Sequence, residues 1–428
     1  MANPVEFRSE HSPVASDMGD GHVASHGALE EILTSDRDVG LLSGVRVVDL
    51  SGFEGMYGAR LLADLGADVV RIVRDDVHMV EPGARITTAG GTTASAFVTF
   101  ANLNKRAVMV DVSDEDELAS LQEIVNASHL VLAEELPEGV AVPDGVALVS
   151  TSIFGHIGRG VDLVGSDLVG LAAGGLLSLG GYPDTAPVAV YGNQAYMCGG
   201  IMTGVASLLA LLGSDDAIVA PRADVSVQAT LVGALEDATA EFDLCSTVRR
   251  RAGDRPREAG TGIFRSADGY IAIVAGKLGT AQAWLSLVKW LNEEGVEGAE
   301  ELTRREWTTL EKRRDLRSLE FFMEVFESFT VHKTSGWLYR EGQSRSIAIA
   351  PVNTMREVLA DPQLTYRDFF RTIHSEEFDK ALTVPGKPYR LYDLANFDSW
   401  SLCRDESLED VRDEWSHDEF AVPAQGGM

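Results

Sequence analysis

From Val45 onward, short β-branched apolar runs alternate with longer stretches whose apolar residues recur at helical spacing, the pattern of a parallel α/β sheet. The first repeat is the plainest. An apolar run at Val45–Leu50 ends in a glycine-rich turn, and a helical pattern follows over Tyr57–Leu65. Gly66 stops it, and a second apolar run occupies Val69–Val73. This spacing predicts a βαβ unit with parallel strands and a right-handed crossover. Ligands of such sheets sit beyond the carboxyl ends of the strands, here Ser51 to Gly58.

The alternation continues. A strand is expected at Ala107–Val112, and Ser113 is placed to cap a helix from Asp114 to Asn126 whose acidic first turn suits the helix dipole. Further strands are expected at Leu130–Ala133, Ala147–Ser152 and Ala223–Val227, the last leading into a helix over Gln228–Leu244. Two apolar helical runs, Asp167–Leu179 and Met197–Leu212, are rich in glycine and alanine and suit close packing. At Thr247–Pro256 the composition turns basic and turn-forming. Beyond it, Gly262–Val274 alternates about Asp268-Gly269 as a hairpin does. Residues 281–345 are helical and highly charged, and Pro351-Val352-Asn353 with a helix at Met355–Ala360 lead back. We therefore expect a flexible arm over residues 1–40 with one short helix near Ala28–Leu33, and a large α/β domain over 41–250. A smaller domain over 255–350 and a return segment over 351–428 follow.

Charge narrows the function. The chain carries 36 basic and 66 acidic side chains, a formal net charge of −30. Residues 1–40 and 401–428 contribute −6 each. Nucleic acid is not an expected partner, because phosphate binding needs a basic face. An anionic ligand needs cations gathered locally. Cys198, Cys245 and Cys403 are far apart, which gives neither metal-ligand spacing nor a disulfide framework and points to a reducing, cytoplasmic setting without a metal. No basic flank followed by an apolar core opens the chain, so no signal peptide is expected. The most apolar stretch, Ile201–Leu212, is too short to span a bilayer, so no membrane association is expected.

Cations do gather. Arg71 and Arg74 close the second strand, and Asn102, Asn104, Lys105 and Arg106 precede the third. In so acidic a chain this clustering fits a phosphate-binding edge, with solvated strand-end charge as the alternative. Glu54, in the turn after the first strand, is read as a carboxylate bonded to backbone N–H groups or facing water, with a role as base or nucleophile as the alternative. Cys198 is read as a small packed residue. His156 is read as a loop-positioning group without an acidic partner at fixed spacing, and Asp167 as the cap of the helix that follows it. Gly52, Gly55 and Gly58 follow G-x-x-G-x-x-G rather than the dinucleotide fingerprint, so a nicotinamide cofactor is not indicated.

Together these segments resemble the family III CoA-transferases (CaiB/BaiF type), among them formyl-CoA transferase, the carnitine CoA-transferases and α-methylacyl-CoA racemase. Gly44-Val45-Arg46-Val47, Asp49-Leu50 and Leu62-Ala63-Asp64-Leu65-Gly66-Ala67-Asp68-Val69 match the family's opening. Met56-Tyr57 replaces its Gly-Pro, and Val73 its closing Glu. Phe154-Gly155, Asp167-Leu168, Asp224-Val225-Ser226, Pro351-Val352-Asn353 and Asp361-Pro362-Gln363-Leu364 follow in the family's order. The resemblance implies a large Rossmann-like α/β domain whose parallel sheet draws on both chain ends, and a smaller α+β domain from the middle. It implies interlocked chains, as a homodimer or as a heteromer with a catalytic paralogue. It also implies coenzyme A or an acyl-CoA as the small-molecule substrate. CoA contacts would lie near Asn102–Arg106, and Arg85 stands where the family often has Arg after its glycine-rich turn.

The family's transferases attack the thioester with an aspartate. The register set by Pro187-Val188 and by Gly199-Gly200 places Tyr196 at that position. A phenol near its usual pKa of about 10 is protonated at neutral pH and a poor nucleophile. The racemase histidine is replaced by Ser166. Three readings stay open. The chain is the non-catalytic subunit of a heteromeric CoA-transferase; or an enzyme of altered CoA-ester chemistry (hydrolysis, isomerisation or addition–elimination) using Glu54 or Tyr196; or a scaffold that no longer binds CoA.

Overall fold

The structure is a computed structural model that describes residues 40–76, 80–214, 219–276, 281–375, 378–390 and 400–417. The expected arm and its helix near Ala28–Leu33 lie outside the described residues. In chain order the strands are β1 (Arg46–Leu50), β2 (Asp68–Arg74), β3 (Arg85–Thr87), β4 (Thr93–Ser95), β5 (Arg106–Val110), β6 (Leu130–Ala133), β7 (Ala147–Ser152) and β8 (Arg222–Ser226). They continue with β9 (Thr261–Ser266), β10 (Gly269–Val274), β11 (Ala348–Pro351), β12 (Phe370–Ser375), β13 (Lys380–Pro385) and β14 (Arg404–Glu406).

Seven strands form one parallel sheet in the order β14-β5-β2-β1-β6-β7-β8. β1 lies at its centre, buried along its whole length, which is why its residues read as a run rather than an alternation. Val48, Val70 and Val108 pack under helices Glu115–Asn126 and Leu408–His417. Val47, Val69 and Leu132 pack under helices Phe53–Ala63 and Gln194–Ser214. The chain leaves β1 towards β2 on one side and β6 on the other, so a crevice opens at the carboxyl ends of β1 and β6. The edge strand β14 comes from the far end of the chain. Arg106 fastens it, donating to Asp68 at 2.9 Å, Glu406 at 2.9 Å and Glu414 at 2.7 Å.

A second core surrounds the antiparallel sheet β11-β10-β9 and the helices Ala281–Glu293, Leu316–Thr330 and Ser335–Ser344. Trp284, Trp290, Phe322 and Phe326 fill it. Ser266 pairs with Gly269 at the hairpin that the alternation predicts.

Several boundaries differ from the periodicity. The first helix starts at Phe53, which puts Glu54 in its first turn rather than in a loop. Asp114, not Ser113, caps the next long helix, accepting from the N–H groups of Asp116 and Glu117 at 2.9 and 3.2 Å. The run Asp167–Leu179 breaks at Gly175, whose φ of +85° no helix continues through. The stretch Gln228–Leu244 divides into helices Val227–Gly233 and Glu236–Cys245. Ile201–Leu212 belongs to a 21-residue helix, Gln194–Ser214, which begins three residues before the expected Met197. That helix is long and apolar enough to cross a bilayer by length and composition, and in the fold it packs on β7 and on helix Phe53–Ala63.

The two helices meet backbone to backbone. A Cβ on Gly58 would stand 2.6 Å from the Gly200 carbonyl oxygen and 2.7 Å from Thr203 Cβ. Gly58→Ala is therefore expected to cost about 1–3 kcal/mol through overpacking, read as a lower midpoint of urea unfolding. Gly233→Ala, whose Cβ would meet nothing within 4 Å, should cause no such loss.

Candidate active site

Two adjoining cavities open at the crevice. The first, of about 250 Å³, is bounded by Ser51, Gly52, Arg71, Arg74, Glu134 and Glu135. The second is a cleft of about 650 Å³ that shares Glu134 and Glu135 and adds Phe53, Glu54, His156 and Tyr196.

Tyr196 stands in the first turn of helix Gln194–Ser214, 8% exposed, with its ring centroid 6.0 Å from those of both Phe53 and Phe97. Its backbone N–H donates to Asp167 Oδ1 at 3.0 Å. Asp167 thus caps this helix rather than its own, which is capped by Ser166 Oγ, accepting from the Val169 N–H at 3.4 Å. Burial, with the Glu54 carboxyl next to it, pushes the Tyr196 phenol up to about 12.

Glu54 is 7% exposed. Burial first, then the neighbouring Glu134, pushes its carboxyl up to about 8, while Arg71 draws it down. A Cβ on Gly52 would stand 2.4 Å from Glu134 Oε2 and 2.9 Å from Glu54 Oε2, so only glycine lets the two carboxyls share this corner. His156 does have an acidic partner. Its Nδ1 lies 3.2 Å from Asp224 Oδ1 and its Nε2 lies 3.0 Å from the Glu134 carbonyl, which holds the loop after β7 against the end of β6. Cys198 is half-buried, and burial raises its thiol.

The basic candidates separate into two groups. Arg71 and Arg74 border the first cavity. Arg71 Nη1 donates to Asp49 Oδ1 at 3.1 Å and also to the Ser51 carbonyl. Arg74 forks Asp76 at 2.9 and 2.7 Å. Arg85 is on β3, half-exposed, paired with Glu81 at 2.6 Å. Lys105 lies inside the fold instead, 1% exposed, donating to Asp49 Oδ2 at 2.8 Å, Met56 O at 2.9 Å and Asn102 Oδ1 at 2.9 Å. Asn102 donates to Met56 Sδ at 3.3 Å. Asn104 donates to Asp64 at 2.8 Å, and Arg106 holds β14. Asn104 and Arg106 turn to Asp64 and Asp68 at the amino end of the sheet, whereas Lys105 and Asn102 reach inward to Asp49 and Met56, so that Lys105 shares the Asp49 carboxylate with Arg71 beneath the crevice.

Sequence reasoning missed Glu134 and Asp224 as site residues. Glu134 directly follows β6, so the strand-end rule could have found it. Asp224 meets His156 across 68 residues, a pairing that only the β7–β8 register reveals.

A crevice at the switch point of a parallel α/β sheet is where proteins of this fold class bind small ligands. Comparison with known proteins narrows the class. The sequence profile of CoA-transferase family III matches residues 42–399. The chain is 32% identical over 377 residues to succinyl-CoA:(R)-benzylsuccinate CoA-transferase subunit BbsE of Thauera aromatica, covering 85% of this chain and 90% of that protein. It is 21% identical over 362 residues to succinate–glutarate CoA-transferase of Agrobacterium fabrum, covering 81% of this chain and 87% of that protein. The solved structure of a CaiB/BaiF family protein from Brucella suis shares the fold, with a TM-score of 0.71 at 21% identity over 88% of this chain and 99% of that one. The chain belongs to CoA-transferase family III.

Proposed function

We propose that this chain is the non-catalytic subunit of a heteromeric CoA-transferase, with a paralogous partner chain supplying the attacking carboxylate. The observation that carries the reading is Tyr196. In our reading of the family register it stands for the aspartate, and its position on the wall of the cleft supports that reading. An acyl carboxylate is a mixed anhydride and keeps the thioester's activation. A phenol pushed up to about 12 is ionised in only about one molecule in 10⁵ at pH 7, too few to attack. The Thauera aromatica relative is itself named a subunit, which supports an assembly of unlike chains. Acyl-CoA is the substrate class, its phosphates directed to the cavity of Arg71 and Arg74 and its acyl end to the cleft. Interlocking of the chains and a cytoplasmic setting belong to the same reading.

The test is trapping with hydroxylamine or borohydride during CoA transfer, followed by the mass of each intact chain. We expect no transfer by this chain alone, transfer by the assembly, and the adduct on the partner. An adduct on this chain would overturn the proposal. Glu54 supports a second reading, as acid or base in altered CoA-ester chemistry, because a carboxyl near pH 8 in a cleft is poised for proton transfer. Product formation by this chain alone, abolished in Glu54→Gln, would select it.

A further inference from the structure

We infer that the cleft beside Tyr196 admits an uncharged acyl group and turns away one that bears a second carboxylate, with Glu54 and Glu134 as the discriminating residues. This rests on the acyl-CoA reading above and names the substrate class of the same site.

One wall of the cleft is apolar, formed by Phe53, Ile153, Phe154 and the Tyr196 ring, while Ser152 and Asp162 add polar groups elsewhere on its lining. Its polar edge is acidic, formed by Glu54, Glu134 and Glu135. Among the described residues that line it there is no lysine or arginine. Among the described lining residues the one histidine, His156, turns both ring nitrogens to protein oxygens. Arg71 and Arg74 border the adjoining cavity instead, and each is matched to an aspartate, Asp49 or Asp76. A carboxylate entering the cleft would shed water, meet no free cation among the described residues, and approach the negative charge that Glu54 and Glu134 hold with one proton between them, which burial leaves poorly screened. A methyl at the same place would meet ring and branched aliphatic carbon. Recognition here works by rejection as much as by attraction. The polarity also runs in the right sense for a CoA ester, arginines towards the phosphates and carboxyls with an apolar wall towards the acyl end. Succinate and glutarate, named for the relatives, are both dicarboxylic. In a heteromer such acyl groups would then be handled at the partner's site.

Butyryl-CoA and succinyl-CoA make a matched pair of probes, alike in chain length and differing by a terminal methyl against a carboxylate. Calorimetry on the full chain should show free CoA binding and butyryl-CoA binding at least about tenfold more tightly than succinyl-CoA. The variant Glu54→Gln/Glu134→Gln should shrink that gap to about twofold. Equal affinity for the two esters while free CoA binds overturns this inference alone. A gap that the double variant leaves unchanged overturns the role of the two glutamates. Binding of none of the three overturns both this inference and the acyl-CoA reading.

Discussion

Lys105→Met is expected to destabilise the protein by about 3 kcal/mol, the low end of the cost of breaking a buried pair, because Arg71 still faces Asp49 at 3.1 Å. Burial alone would raise the Asp49 carboxyl, but the Lys105 ammonium and then the Arg71 guanidinium hold it at about 2. Both ends of the Asp49–Lys105 pair are inaccessible, at 2.8 Å. Methionine matches the length of the lysine stem and not its charge, so packing is largely kept and the electrostatic loss is isolated. The contribution of Asp49 is full above the unfolded carboxyl range and is lost as pH falls through about 2. With the ammonium gone that loss begins at higher pH. Urea unfolding at pH 7 and pH 4 measures both effects. The double variant Asp49→Asn/Lys105→Met should recover part of the loss, because the fully buried carboxylate is then gone, although Arg71 keeps only the Ser51 carbonyl and the asparagine amide oxygen as acceptors. A single-variant cost below about 1 kcal/mol would rule out a formed pair.

Glu54→Gln should act with the opposite sign and stabilise the protein at high pH. The Glu54 carboxyl titrates near 8 in the fold against 4.5 when free, raised by burial and then by Glu134. A group raised in this way contributes fully below 4.5 and loses its contribution as pH climbs through about 8. Each pH unit in that window is worth about 1.4 kcal/mol, so a gain on the order of 5 kcal/mol is expected above the window. Glutamine does not titrate, and its amide can donate to Glu134 where the shared proton was. Unfolding midpoints of parent and variant should agree near pH 4.5 and diverge towards pH 9. Parallel pH curves would show that Glu54 ionises freely.

Most of the sheet was legible in the chain because a buried parallel strand leaves a continuous apolar run. β1, β2 and β6 rest on such runs, and each is found within a residue or two of its expected place; β7 is also where expected, though only its first half, Ala147–Val149, is apolar. β14 was not legible, since three charged residues, Arg404, Asp405 and Glu406, carry no strand signal and pair only because β5 offers an open edge. The hairpin β12–β13 was missed for a related reason: Phe370–Ser375 mixes polar and apolar residues without a turn signature beside it. At the site, Glu54, Arg71 and Arg74 were singled out because they close or follow strands, and Tyr196 only through the family register; all four line the two cavities. The sequence could not tell which way a long side chain turns. Lys105 follows a helix end and precedes a strand like any surface lysine, yet its ammonium runs inward to a carboxylate 56 residues away.

The late arrival of β14 bears on how the polypeptide is made. The tryptophan-rich unit spanning residues 259–349 is contiguous and can finish its own packing as soon as it clears the ribosome. The great sheet has to wait with the flank of β5 bare until translation reaches Arg404, and an uncovered flank is where strands of neighbouring molecules attach. Arg106, binding three carboxylates brought from both directions, is the clasp that ends this interval.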